Sequence, residues 1–500
     1  AWYTSYTPYQ AEISQGRLEA LLNYQTAILS LTGMEVANCS LLDEATATAE
    51  AMLMMYALRS REAVKQGRNQ IFVDENIFPH TLDVLLTRSE PFGIEIIRDD
   101  FASYEFTGKE FGAIVQYPAA NGEVRDYAAF AAKAHEAGIT VTAVADLLSL
   151  ALLKAPAEWG ADIAVGTTQR LGCPMGLGGP SAGYMATRDA NKRQMPGRII
   201  GVSVDRLGNK ALRMSLQMRE QHIKREKATS NICTAQALMA SMVGFYCIYN
   251  GKEGLQRAAM VAHSAAVTVK EALEAMGYKV RTKAVFDTLE VEAEASVIQD
   301  IALAREINMY YPNDEAVRIA FDEVTTDAEL QTIVDIFAEA RGKKAKAVKR
   351  VESAAIAEEV KRQSDFFTES IFNDLYETGK PFVSGIAHGR RSPFLSCLFK
   401  SIDLSHLERW KLEDYPKDTF EVEGCGMACC LMTVEILKNV MEQYKTCFTP
   451  FLMYGEDLSF CKRAKSQGVK IFAEPTVRLG HVAHLTVYPD DAPRYKNELH

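Results

Sequence analysis

"GTTQRLGCPMGLGGPSAGYMATR", residues 166–188, decides how the first part of the chain reads. The apolar run ADIAVGT ends in it, a polar hinge of Gln169 and Arg170 follows, and then comes a loop with Gly176, Gly178 and Gly179 before a second apolar run. A tight strand connection by itself also favours such glycines. No lysine lies in the stretch. Upstream, QIFVDE, IEIIRDD, GAIVQYP and ITVTAVAD read as strands. PHTLDVLLTRSEPFG, with Pro79 in its first turn, and RDYAAFAAKAHEAG, closed by Gly138, read as helices. Strands alternating with helices make βαβ units, hence a mostly parallel sheet covered by helices. Ligands in open sheets of this kind sit at the carboxyl ends of the strands, which is where this loop begins.

Five hundred residues, 48% apolar and 24% charged, suit a globular chain of two or three domains. The net charge of −10 argues against a nucleic-acid partner. No uncharged apolar run is long enough to span a bilayer, so no membrane partner is expected. The N-terminal AWYTSYTPYQAE has neither a basic nor an apolar region of a signal peptide, so a cytoplasmic location is expected. The ten cysteines lack zinc-like spacing and read as reduced thiols. They crowd towards the C-terminus, from Cys397 onward, which suggests that the two parts of the chain differ in origin.

After residue 235 a long helical stretch leads to VFDTLEVEA and a smaller α/β lobe. Residues 341–364 are charged and alanine-rich without a dense apolar face, and read as a solvated helix or linker. The expected domains are 1–250, a large domain; 251–340, a small lobe; 341–373, a charged helical linker; and 374–500, a segment of different texture.

A pyridoxal phosphate enzyme on such a sheet needs a lysine for the Schiff base, a carboxylate for the pyridinium, and backbone N–H groups for the phosphate. Asp146 ends a strand ahead of the loop and suits the carboxylate, although capping the following LLSLALL would also explain it. The hinge ahead of the loop carries Gln169 and Arg170 and no lysine, and a glutamine amide cannot form an imine.

The stretches AWYTSYTPYQAEISQGRLEALLNYQT, LLDEATATAEAM, ADLLSLALLKAPAEWGADIAVGTTQRLGCPMGLGGP, KRQMPGRIIGVSVDRLGN and LRMSLQMREQHIKREKATSNICTAQ together resemble the N-terminal half of the glycine decarboxylase P-protein, which is a separate subunit 1 where the enzyme is split. The resemblance runs from Ala1 to about Phe372, and the helical segment that usually precedes AWYT is absent. It implies a degenerate pyridoxal phosphate fold type I (aminotransferase-like) large domain, N-terminally truncated, with a small α/β lobe. It also implies a reaction: glycine is decarboxylated and its aminomethyl group passes to lipoylated H-protein. The lysine, and with it the covalently held pyridoxal phosphate, belongs to the partner, glycine decarboxylase subunit 2. Gln169 then replaces the Schiff-base lysine and Asp146 stands at the pyridinium carboxylate. Tyr6 and Tyr9 would line the partner's site for glycine, and Thr229, Ser230 and Asn231 would reach the cofactor phosphate. A packed turn and a polar connection would explain these two groups equally. Arg219, Lys224 and Arg225 form a basic stretch suited to an acidic H-protein surface or to solvent.

From about Asp374 to Leu485 the motifs GKPFVSGIAHGRR, EVEGCGMACCLM, FLMYGEDLSFCKRAKSQGVKIFAEP and RLGHVAH resemble the second half of a family-A glycosyltransferase. That implies a partial GT-A-like α/β segment in which Glu456 and Asp457 sit by the acceptor and His481 ligates a metal. The nucleotide-binding half of such an enzyme is missing upstream. The leading expectation is therefore a glycine decarboxylase subunit 1, inactive without its partner; the alternatives are a glycosyltransferase or a non-functional chimera.

Overall fold

The computed structural model describes residues 14–176, 178–216, 224–228, 236–352 and 355–373, and in the C-terminal part 382–386, 398–403, 406–409, 416–425, 430–432, 434–444 and 456–478. The first part runs α1 (Gln15–Thr32), β1 (Val36–Ala37), α2 (Glu44–Leu58), α3 (Arg61–Lys65), β2 (Gln70–Asp74), α4 (Pro79–Ser89), β3 (Glu95–Asp99), β4 (Glu110–Tyr117), α5 (Ala128–Glu136), β5 (Thr140–Ala145), β6 (Ile163–Thr167) and β7 (Gly183–Thr187). These strands form one seven-stranded sheet in the order β1-β7-β6-β5-β4-β2-β3. Strands β2 to β6 are parallel, while β7 and β1 close one end antiparallel.

Side chains alternate between two cores, as strand geometry requires. Phe72, Ala113, Val115, Val141 and Ala143 enter the core that α1 and α5 cover. Ile71, Val73, Ile114, Val144, Ile163 and Val165 enter the core on the other face, under α2. All eight residues of β4 are buried, the mark of a strand covered on both faces.

A hairpin, β8 (Ile199–Val204) with β9 (Lys210–Ser215), precedes the long helix α6 (Ala237–Ala275). This helix breaks at Gly251, whose φ of 59° and ψ of −168° are non-helical. Its residues Met239 to Ala259 belong to the first core, and Ala265 to Leu273 to a third. The third core lies under a small antiparallel sheet, in the order β10 (Lys279–Val280), β11 (Thr288–Glu292), β13 (Ala316–Ala320), β12 (Tyr310–Asn313), with helices α7 (Ala295–Leu303) and α8 (Asp327–Ala340). One helix thus contributes to both the large sheet's core and the small lobe's core. Thr326 and Glu329 form a reciprocal capping box at the start of α8.

The charged segment 341–373 is not the helical linker that its composition suggested. Among its described residues the one helical element is a short 3-10 turn, Ser370–Phe372; the rest is turns, irregular chain and one isolated bridge, Lys361 to Leu153. It is a strap laid on the large domain. Lys154 N–H donates to Val360 O and Arg362 N–H to Leu152 O, both at 2.8 Å. The Arg362 guanidinium donates to the carbonyls of Leu31, Leu150 and Ser30 at 2.7–2.9 Å. Phe366, Phe367 and Phe372 are buried in the first core, and Phe367 stacks on Phe372 with ring centroids 4.3 Å apart. Short-range charge density hid this anchoring, which depends on carbonyls that helix and turn ends leave unpaired.

The described residues of the C-terminal part run β14 (Phe382–Ile386), β15 (Leu398–Asp403), β16 (His406–Arg409), β17 (Phe420–Val422), β18 (Gly424–Cys425), β19 (Cys430–Met432), α9 (Val434–Tyr444), α10 (Glu456–Ser466) and β20 (Ile471–Arg478). β14 and β20 pair parallel in the sheet β17-β20-β14-β19. Val422, Ile436, Val440, Phe460 and Ile471 form its core. Among the described residues no helix is long and apolar enough to cross a membrane.

Arg362→Ala should leave three carbonyls without their donor and cost about 3 kcal/mol. A lower urea midpoint with unchanged m is the expected result, and an unchanged midpoint would mean that the strap does not hold the fold.

Candidate functional site

The carboxyl ends of β5 and β6 meet the small lobe at one ion cluster. Asp146 directly follows β5 and its N–H donates to Tyr117 O at 3.0 Å. Arg170 lies three residues past β6. Its Nη1 is 3.0 Å from Asp146 Oδ2 and also pairs with Asp287, just ahead of β11. Nη2 reaches the Phe321 carbonyl, which follows β13, at 3.4 Å. Burial works against the Arg170 charge, but Asp146 and Asp287 outweigh it and hold the guanidinium firmly protonated. Burial raises Asp146, and Arg170 pulls it back.

Local geometry explains why the backbone fits here. A side chain at Gly166 would run into the Ala145 carbonyl, so β6 can lie close to the end of β5 only as glycine. Asp146 Oδ1 also accepts from Leu148 N–H at 3.2 Å, and Ser149 Oγ donates to the Asp146 carbonyl at 2.7 Å. Asp146 therefore does hold the turn that follows it. That turn leads to a short 3-10 segment, Ser149–Ala151, rather than an α-helix.

A third acid completes the cluster. Glu44 opens α2, which Asp43 caps by accepting from Thr46 N–H at 2.8 Å. Burial first, and Asp146 second, push the Glu44 carboxyl up to about 7, against hydrogen bonding from Gln116 and the Thr167 backbone. Gln116 donates its amide N–H to Val144 O, and its Oε1 is buried without a partner. Glu44 in LLDEATATAEAM, at a helix start, and Asp287 in VFDTLEVEA, ahead of a strand, carry no local signal of a site. Neither local pattern points to the other or to Arg170, which is 117 residues from Asp287 in the chain.

These residues do not fit covalently held pyridoxal phosphate. The half-buried Gln169 stands in the hinge beside Arg170 and offers no amine. The Asp146 carboxylate that a pyridinium would use is paired with Arg170. The start of α2 carries two acids of its own, where a phosphate needs free N–H groups and positive potential. Tyr6, Tyr9, Thr229, Ser230 and Asn231 lie outside the described residues, as do Arg219 and His481. Lys224 and Arg225 are exposed. Glu456 and Asp457 open α10, and their side chains lie outside the described residues. Among the described residues no cluster of three or more His, Cys, Asp or Glu could hold a metal ion.

The raised Glu44 carboxyl sets a sign. Between about 4.5 and 7 the folded protein holds a proton that the unfolded chain has released, so this group makes stability fall as pH rises. Glu44→Gln should flatten that slope and be neutral or stabilising at pH 8. Thermal unfolding from pH 4.5 to 8 checks it, and a variant that loses stability equally at every pH would contradict it.

Residues 1–337 match the family model for the glycine cleavage system P-protein. Glycine dehydrogenase (decarboxylating) of Bacteroides fragilis is 54% identical over 377 residues, covering 74% of this chain and 40% of the relative. The enzyme of the same name from Flavobacterium johnsoniae is 53% identical, covering 75% and 39%. The chain thus spans about 40% of the length of these curated relatives. A crystal structure of glycine decarboxylase (P-protein) of the glycine cleavage system, in inhibitor-bound form, superposes with a TM-score of 0.63 at 35% identity, covering 67% of this chain and 79% of that one. The family match stops short of the C-terminal segment and lends the glycosyltransferase reading of Glu456, Asp457 and His481 no support. With its α/β fold and its first two thirds matched, the chain belongs to the P-protein family of the glycine cleavage system.

Proposed function

We propose that this chain is the half of glycine decarboxylase that lacks the cofactor lysine, and that it works with a lysine-bearing partner, subunit 2. The observation that carries this reading is the hinge after β6, where Gln169 and the ion-paired Arg170 occupy the place of an amine in a chain whose family decarboxylates glycine. Pyridoxal phosphate, held by the partner, supplies the electron sink for the decarboxylation.

In this reading glycine loses its carboxylate as carbon dioxide. The electron pair left on the α-carbon forms a bond to one sulfur of the lipoyl disulfide on H-protein, the S–S bond breaks, and the other sulfur leaves as a thiol. This chain's part is to bind and to exclude water. Tyr6 and Tyr9 line the partner's pocket, and Thr229, Ser230 and Asn231 donate hydrogen bonds towards the phosphate. The Arg170 cluster holds the small lobe against the carboxyl end of the sheet, which fixes the surface that meets the partner.

Exchange of labelled bicarbonate into glycine tests this. The mixture contains this chain, a subunit 2, pyridoxal phosphate and lipoylated H-protein. Exchange is expected with both subunits and not with either alone. Absence of exchange, with an authentic subunit 1 active in parallel, would overturn the reading, as would exchange by this chain without subunit 2.

A further inference from the structure

The strap begins with a row of unpaired cations. Lys343, Lys344, Lys346 and Lys349 are exposed and have no ion pair among the described residues. Six residue steps separate Lys343 from Lys349, so the charges span at most about 20 Å. It is also held in place. The Gln331 side chain on α8 pairs with it as a neighbouring strand would: its Nε2 donates to Lys346 O at 3.2 Å, and its Oε1 accepts from Val348 N–H at 2.7 Å. Ala345 and Val348 pack against the small-lobe core, while Lys346 between them and Lys343, Lys344 and Lys349 on either side are exposed.

The acids of the neighbouring α8 do not pair with the row. All four acidic residues of α8 are engaged elsewhere. Asp327 pairs with Arg350, Glu329 closes the Thr326 capping box, Asp335 accepts from Gln331, and Glu339 pairs with Arg305. On a chain of net charge −10, the row is a fixed local reversal of sign. An exposed lysine ordinarily loses side-chain freedom when it pairs. Here the backbone cost of aligning four of them is already met by Gln331 and the two inward side chains.

The row also adjoins the small-lobe segment that closes the Arg170 cluster. Arg350, one residue past Lys349, donates to Thr325 O at 2.6 Å. The turn around Thr325 follows β13, where Phe321 O receives Arg170. A partner seated on the lysines would therefore stand on the small lobe beside the segment that closes the cluster.

We infer that Lys343, Lys344, Lys346 and Lys349 form a docking strip for an acidic protein surface, that of the lipoyl carrier H-protein. The choice of carrier rests on the proposed function. A nucleic acid is the less favoured occupant, because the chain is acidic and the strip has no aromatic side chain for base stacking.

The test uses the full chain with subunit 2 and lipoylated H-protein as probe. Direct binding is measured by calorimetry at several salt concentrations, and KM values come from the exchange reaction. Charge reversal of all four lysines to Glu should weaken carrier binding about tenfold or more and remove most of its salt dependence. The KM for glycine and the unfolding temperature should not move, since neither the Gln331 bonds nor the inward side chains are altered. The fourfold Lys→Arg variant should bind as the parent does. Carrier binding unchanged by charge reversal would overturn the strip and leave the proposed function standing. A parent chain that does not bind the carrier overturns the strip, and exchange by the same mixture tells whether the function fails with it. Tighter binding to a single-stranded RNA oligonucleotide than to the carrier would also overturn it.

Discussion

The Arg170 guanidinium is the constraint on which the rest of the site depends. It draws together Asp146 from the end of β5, Asp287 from the start of β11 and the Phe321 carbonyl past β13. Two carboxylates held so close, one buried and one half-buried, repel unless a cation lies between them, and the half-buried Arg170 supplies it. The large sheet and the small lobe are therefore joined at the point where a ligand of an open α/β sheet would sit. The same three charges use up the groups that a pyridinium cofactor would need.

Around that cluster the fold is built from familiar physics. Parallel strands buried on both faces carry Asp146 and Arg170 to one edge. The broken helix α6 contributes to both cores, so the lobes share an element as well as an ion pair. The strap then returns to the large domain, where Arg362 caps carbonyls that would otherwise be unpaired and three phenylalanines fill the core. Glu44, buried beside Asp146, makes the site more acidic still unless it holds its proton.

Much of this was legible in the sequence. The βαβ alternation from Gln70 to Thr167 follows from runs of β-branched residues broken by Gly and Pro, and the strands fall where QIFVDE, IEIIRDD, GAIVQYP, ITVTAVAD and ADIAVGT placed them. That residues 166–188 hold no lysine needed no structure. Asp146 was legible as a strand-end acid; it holds the turn that follows it, and its carboxylate pairs with Arg170. What could not be read was pairing at long range. Nothing local marks Asp287 as the partner of Arg170, or Glu44 as a buried acid rather than an exposed one. The strap was misread for a related reason. Lysine and alanine dominate its first half, and its anchoring comes from distant carbonyls and from phenylalanines at its far end.

The central claim is that this chain's own site is closed to pyridoxal phosphate by an internal ion cluster. Titration of the isolated chain with pyridoxal phosphate, followed by borohydride reduction and peptide mass mapping, tests it most directly. The account predicts no stoichiometric absorbance band near 420 nm and no single lysine modified in preference to the others, with the band appearing only when subunit 2 is added. A stoichiometric band from this chain alone, with one lysine labelled, would contradict it.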